Sequence, residues 1–422
     1  MTRVWLCFAV VVGGAGVAHA EDTLTIDQAV QLALSRNERA RITELDVVQA
    51  HAGVDRARVA FLPVLAAAGQ YELHPRDKAP KNVASGDLEL TQPIFAPSAF
   101  PLYDEAKHLL EAQLSQTVDD KRVLAFDAAR AFVAVLLAQR VVEAAQKELL
   151  TANADVADTD AQFKAQLVSS NDVTRAKINL AGTERDLATE KGDYDAALVA
   201  LAYILNSKPP SHLADPTALL DAGKKPLGTI DPLVGQGIAQ RPDLAAHKSA
   251  AVAAHDFARE PRWRFLPSLG FIGELTGTTD PQGNPAYHTD GFIGAQASWD
   301  IWDAGARAAD AKQRDAAAQI ADLQTDMLAR SVENDVRTAA AQLAAAQNAL
   351  SGAQDAVDAS RKSADETAIL YRQGLTQAIE LVDANEQRFA AEVSYAEAEY
   401  AVVSAYLALR QAMGLGPLED LK

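Results

Sequence analysis

Apolar and polar positions along this chain recur at two periods, and the two periods alternate twice from end to end. Four segments alternate strictly. Leu65, Ala67, Gly69, Tyr71 and Leu73 interleave with Val64, Ala66, Ala68, Gln70 and Glu72, and Leu88 and Leu90 with Asp87, Glu89 and Thr91. Leu269, Phe271, Gly273 and Leu275 interleave with Ser268, Gly270, Glu274 and Thr276. Ile293, Ala295, Ala297 and Trp299 interleave with Gly294, Gln296, Ser298 and Asp300. A period of two puts one set on each face of a strand. Polar loops rich in Gly and Pro, His74–Ala84 and Gly277–Asp290, separate the partners, predicting β-hairpins over about 64–94 and 267–301.

The second pattern has spacings of three and four. Val336, Leu343, Leu350 and Val357 recur at sevens, with Val332, Ala339 and Ala346 between them, which is a coiled-coil seam. Val123, Phe126, Val133, Leu137 and Val141 form a rougher version earlier in the chain. Of 17 prolines, none lies between Pro101 and Pro209 or between Pro285 and Pro417. An interior proline costs a helix about 3 kcal/mol, so both runs read as very long helices. Each is interrupted once, at Gln166–Asn171 and at Gly374-Leu375, by residues that stop and restart helices. Two helical hairpins are predicted, with arms near 98–165 and 171–206, and near 304–372 and 377–413. At 1.5 Å per residue the longer arms span roughly 100 Å. A single helix precedes each β-hairpin, over Ile26–Val59 and about Asp231–Arg259.

The same order of elements thus occurs twice, and the residues repeat with it. Phe61-Leu62-Pro63 returns as Phe265-Leu266-Pro267, Ile94-Phe95 as Ile301-Trp302, and Phe163–Leu167 as Tyr371–Leu375, at offsets of 204 to 208 residues. The chain divides into repeat 1 (21–206), a linker (207–230) and repeat 2 (231–422). Residues 1–20 read as a cleaved signal peptide: Arg3, the apolar Val4–Val17, then Ala18-His19-Ala20 before Glu21. The one cysteine, Cys7, lies inside it, so the mature chain has no disulfide.

A net charge of −18, from 57 acidic and 39 basic residues, excludes a basic footprint for nucleic acid. No later segment holds the unbroken apolar run of about 18 residues that a transmembrane helix needs. Entry into a membrane would therefore be by strands, and the four alternating segments have the length and two-faced pattern of barrel strands. Phe61, Phe95, Trp263, Phe265, Trp299 and Trp302 cluster at the strand ends opposite the loops, where an interfacial girdle would lie. Four strands cannot close a barrel, so copies must associate, two giving eight strands and three giving twelve.

Catalytic signatures are missing: the chain has no HExxH, CxxC, P-loop or dinucleotide fingerprint, so neither an enzymatic site nor a cofactor can be named. His51 and His255 are repeat equivalents and read as polar helix surface, not as metal ligands.

The tandem repeat, the helix–β-hairpin–helical-hairpin order, Phe-Leu-Pro before each β-hairpin and the segment Tyr371–Asp383 together resemble the TolC family of outer-membrane efflux and type I secretion ducts. The resemblance implies a mixed α+β membrane protein, mainly long coiled-coil hairpins. It implies a homotrimer with a twelve-stranded barrel among outer-membrane lipids, continuous with an α-helical barrel in the periplasm of a Gram-negative cell. The linker Ser207–Ile230 and the short C-terminus would form an equatorial belt. Membrane-fusion adaptor and inner-membrane pump would be partners, the adaptor docking on tips that fall here on Gln166, Leu167 and Val168 and on Gly374, Leu375 and Thr376. Gln166 departs from the family's usual glycine. Glu380 and Asp383 would ring the narrow end of the tunnel as a periplasmic constriction, and Tyr371 and Asp172 would link the hairpins across the gate. The competing reading is a periplasmic adaptor or structural coiled coil that never enters a membrane. Against it stand two complete strand-and-hairpin units.

Overall fold

A computed structural model describes residues 23–73, 82–208, 210–279 and 288–419. The expected signal segment 1–20 and the centres of both strand-connecting loops lie outside these residues. Repeat 1 comprises β1 (Thr23–Leu24), α1 (Ile26–Arg36), α2 (Glu38–Arg58), β2 (Val64–Leu73), β3 (Asn82–Phe95), α3 (Ala99–Lys164) and α4 (Ser170–Leu205). The linker carries β4 (His212–Leu213) and α5 (Thr217–Lys224). Repeat 2 comprises α6 (Ile230–Gln240), α7 (Pro242–Trp263), β5 (Ser268–Thr278), β6 (His288–Ser298), α8 (Ala306–Arg372) and α9 (Ala378–Ala412).

The two β-hairpins join into one antiparallel sheet in the order β2-β3-β5-β6, with β3 and β5 pairing across the repeats from Ser85 opposite Thr278 to Phe95 opposite Leu269. This register sorts the faces. Leu65 lies opposite Leu90, Leu90 opposite Gly273, and Gly273 opposite Ile293, so one face is an apolar row. On the other face Ala68, Asp87, Thr276 and Asp290 form one row, and Ala66, Glu89, Glu274 and Phe292 the next. No other element covers the apolar face in the single chain, and Ile293 is 90% exposed. Strands β2 and β6 are both open edges. Below the sheet Phe100 packs with Phe61, Phe95 and Trp263 at ring separations of 5.1, 6.4 and 5.9 Å. Trp299 and Trp302 of the same expected girdle stay exposed.

Each long helix is built around its seam. Val332, Val336, Leu343 and Val357 of α8 are buried, and with Val402, Leu409 and Met413 most of them form the core of the second hairpin. Helix α3 is buried on several sides over Leu124–Leu136, because α1, α5, α4 and α9 all contribute to one core around Phe126 and Phe132. A helix wrapped on several sides has no single apolar stripe, which is why the first run is rough. Nearer the sheet, α3 lies between α2 and α7, and α7 lies between α3 and α8.

Two expected helices are each broken in two. The first ends at Asn37, which has extended backbone (φ −73°, ψ 135°) and caps α2 through its side chain. The second breaks at Arg241, ahead of Pro242. Proline forces the preceding residue out of the helical region, and Asn37 competes for the backbone with its own side chain. The two breaks are repeat equivalents. They free α1 and α6 to fold back on the middles of the long helices, where they meet the linker: β1 pairs with β4 in parallel, and Gln347 donates to the carbonyls of Gly223 and Lys225 at the end of α5 (2.7 and 2.8 Å).

Candidate functional site

The two hairpin tips are the same turn made from different residues. At the end of α3, Leu167 N donates to Gln162 O and Gln166 N to Phe163 O, both at 2.9 Å. At the end of α8, Leu375 N donates to Leu370 O and Gly374 N to Tyr371 O, again at 2.9 Å. Both sets are the paired bonds of a Schellman C-cap, which requires a left-handed residue in the middle. Gly374 fills that place at φ 72° and Gln166 at φ 60°. The missing glycine therefore leaves the turn unchanged and adds strain. Leu167 and Leu375, the next residues, stand 75% and 70% exposed at the two tips.

The starts of the returning helices differ. Ser169 caps α4 in a box with Asp172: Asp172 N donates to Ser169 Oγ (3.3 Å) and Ser169 N to Asp172 Oδ2 (2.9 Å). Helix α9 has no such box; Thr376 Oγ1 instead donates to the Glu380 carboxylate. Glu380 and Asp383 are both exposed, on the side of α9 away from the buried Ala378, Leu381 and Ala384.

Tyr371 and Asp172 are not brought together. Tyr371, only 3% exposed, meets Thr159 of α3, with its hydroxyl 3.2 Å from Thr159 Oγ1. Asp172 is instead occupied by its own cap. The link between hairpins is a polar ladder running back from the tip along α3. Behind Tyr371 and Thr159, Asn385 Nδ2 donates to Asp155 Oδ2 at 2.9 Å. Then Arg388 Nη2 donates to Thr151 Oγ1 at 3.1 Å and faces Glu148 Oε2 at 3.4 Å. Glu148 is 4% and Asn385 3% exposed.

Burial holds the Glu148 and Asp155 carboxyls above the usual carboxylate range, against the pull of Arg388 on the first and of the Asn385 amide on the second. None of the ladder except Tyr371 stood out in the sequence. The available signal was that Glu148, Asp155 and Thr159 on α3, and Asn385 and Arg388 on α9, occupy the three-four spacing of the seam and are polar.

Elsewhere His255 Nε2 lies 2.9 Å from Asp322 on an exposed surface, and among the described residues no group of three potential ligands is placed to hold a metal. No helix is long and apolar enough to cross a membrane.

The family described as outer membrane efflux protein matches this chain twice, over residues 29–207 and 233–415. The outer membrane protein TolC of Vibrio cholerae is 23% identical over 87% of this chain and 85% of its own length. The alkaline protease secretion protein AprF of Pseudomonas aeruginosa is 25% identical over 79% of this chain and 70% of its own. Among solved structures, CusC superposes with a TM-score of 0.81 at 19% identity, covering 93% of this chain and 92% of that one. The open state of MtrE from Neisseria gonorrhoeae gives 0.78 at 19%, covering 94% and 90%. Matched in both repeats over most of its length, the chain belongs to the outer membrane efflux protein family.

Proposed function

We propose that this outer-membrane efflux channel is a passive, trimeric exit duct, gated at its hairpin tips by the polar ladder and narrowed there by Glu380 and Asp383. One observation carries the assembly: the sheet and the helical layer beneath it each end in two open edges. The sheet ends in β2 and β6. The helical layer ends in α2, exposing Ile42, Leu45 and Val48, and in α8, exposing Ile320, Leu323 and Met327. Inside the chain, repeat 1's α3 packs on repeat 2's α7. The same contact made between copies sets α8 of one chain on α2 of the next, and β6 on β2. Three copies give twelve strands, with the apolar row toward lipid and the Asp87, Glu89, Glu274 and Asp290 rows toward a water-filled interior.

Six carboxylates from Glu380 and Asp383 around one axis would favour cations over anions. The exposed Leu167 and Leu375 are the surface on which a membrane-fusion adaptor would dock, with an inner-membrane pump supplying the energy. Because one relative is named for protease secretion, protein cargo belongs beside small-molecule cargo among the substrates to be tested.

The deciding measurement is on the purified full chain: its mass in detergent and its conductance in planar bilayers. A trimer with cation-selective channels is expected, and a monomer without conductance would overturn the reading. Leu167→Asp with Leu375→Asp should abolish adaptor cross-linking while leaving conductance intact.

A further inference from the structure

A cleft of about 290 Å³ opens between α3, α4 and α9, behind the tips, and Glu148 lines it. Glu148 uses one carboxylate oxygen toward Arg388; the other, Oε1, is buried and has no hydrogen-bond partner among the described residues. A buried acceptor without a donor is costly, and more so when charged. Exposed Glu386 also lines the cleft, and both it and Asp155 push the Glu148 carboxyl up, in the same direction as burial. Arg185, the cation at the rim, is taken up by Asp186 at 2.6 Å. Negative charge therefore dominates, and an anionic ligand does not fit.

The rest of the lining selects among cations. A metal ion needs several oxygen ligands converging on one point, and no group of three such residues is found among the described residues. Ala145, Ile178 and Phe389 instead give the cleft an apolar wall. Its volume is at the small end of ligand pockets, which begin near 300 Å³. An N–H donor with a positive charge is wanted at Oε1, and an apolar body beside Phe389.

We infer that this cleft binds a small organic ammonium, whose N–H group donates to Glu148 Oε1 while its apolar part lies on Ile178 and Phe389. The site rests on the packing of the hairpins and not on the duct reading, so conductance of the same preparation tests the two separately.

The test is calorimetric titration of the detergent-solubilised full chain with 2-phenylethylammonium. Saturable binding at one site per chain is expected. Glu148→Gln should weaken it by about tenfold or more, the effect of losing a charge-assisted hydrogen bond. The neutral 2-phenylethanol should bind at least about tenfold less well than the ammonium for the same reason. Gly182→Leu serves as an independent variant: a Cβ there meets nothing within 4 Å, so the larger side chain can fill the cleft without touching Glu148. It should abolish binding even if Glu148→Gln fails to fold. Equal affinity in either variant, equal affinity for the alcohol, or no saturable binding would each overturn the proposal.

Discussion

Replacing Asn385 by leucine removes the amide that donates to Asp155 from across the two hairpins, at nearly constant side-chain volume. The bond is 2.9 Å long, and Asn385 is 3% exposed. A hydrogen bond to a charged acceptor contributes about 1.5–3 kcal/mol, so roughly 2 kcal/mol is lost per chain. In a gate whose three chains release together the loss is about 6 kcal/mol. That exceeds the roughly 5.5 kcal/mol that turns a 1:99 equilibrium into 99:1. The variant should therefore pass from mostly closed to mostly open.

Single-channel recording in planar bilayers at fixed voltage reads this as lengthened open dwell times, and a melting curve on the same preparation shows whether the fold survives. Asp155→Leu added to Asn385→Leu removes the stranded carboxylate as well and should recover part of the lost melting temperature. A lowered melting temperature with unchanged open probability would refute the reasoning. The ladder would then hold the hairpins together without holding a gate.

Tyr371→Phe should lengthen openings more modestly, since Thr159 keeps its bond to the Asp155 carbonyl, whereas Asp172→Ala should cost about 1 kcal/mol of α4 capping with little change in dwell times. The carboxyls of Glu148 and Asp155 are raised in the folded chain, so their contribution to docking is complete below the unfolded values and is lost as pH rises through the folded ones. Closed dwell times should lengthen as pH falls from neutral toward the ordinary carboxylate range, and Glu148→Gln should flatten that profile. Gln166→Gly should stabilise the first tip by about 1 kcal/mol and Gly374→Ala destabilise the second by a similar amount, measured by amide exchange at the turns. Ile293→Lys, on the apolar row, should cost about 2–4 kcal/mol of membrane stability and block recovery of heat-modifiable trimers, while Gln296→Lys on the opposite face should assemble normally.

The long arms were legible because proline and a seven-residue seam mark a helix independently of what packs on it. The strands were legible because alternation survives when both faces are solvated differently. Other features were not. Strands β1 and β4 are two residues each, too short to show any period. The break before Pro242 carried a signal, but Asn37 is an ordinary helix-surface residue until its Nδ2 finds the Ile204 carbonyl at 2.8 Å. The ladder was hidden for a related reason. Asp155, Thr159, Asn385 and Arg388 sit in acidic, alanine-rich helices where polar side chains normally face water. Only the docking of α9 on α3 buries them, and that contact belongs to tertiary structure.

The pairing of β3 with β5 fixes when this sheet can exist. Either β-hairpin alone is two strands, which is marginal in water. The partners of the central seam, such as Ser85 and Thr278, come from opposite halves of the chain. While the second half is still being made or exported, the β3 edge waits with its backbone donors and acceptors unpaired, a template for pairing with the wrong chain. Closing so long an intervening segment is slow, so that exposure lasts. A slip of one residue would turn Leu88 and Leu90 inward and set Asp87 and Glu89 against lipid. The same alternation that suits the finished sheet to two solvents thus makes a misaligned β3 unable to stay in the membrane, and the error is undone before a third and fourth strand can lock it in.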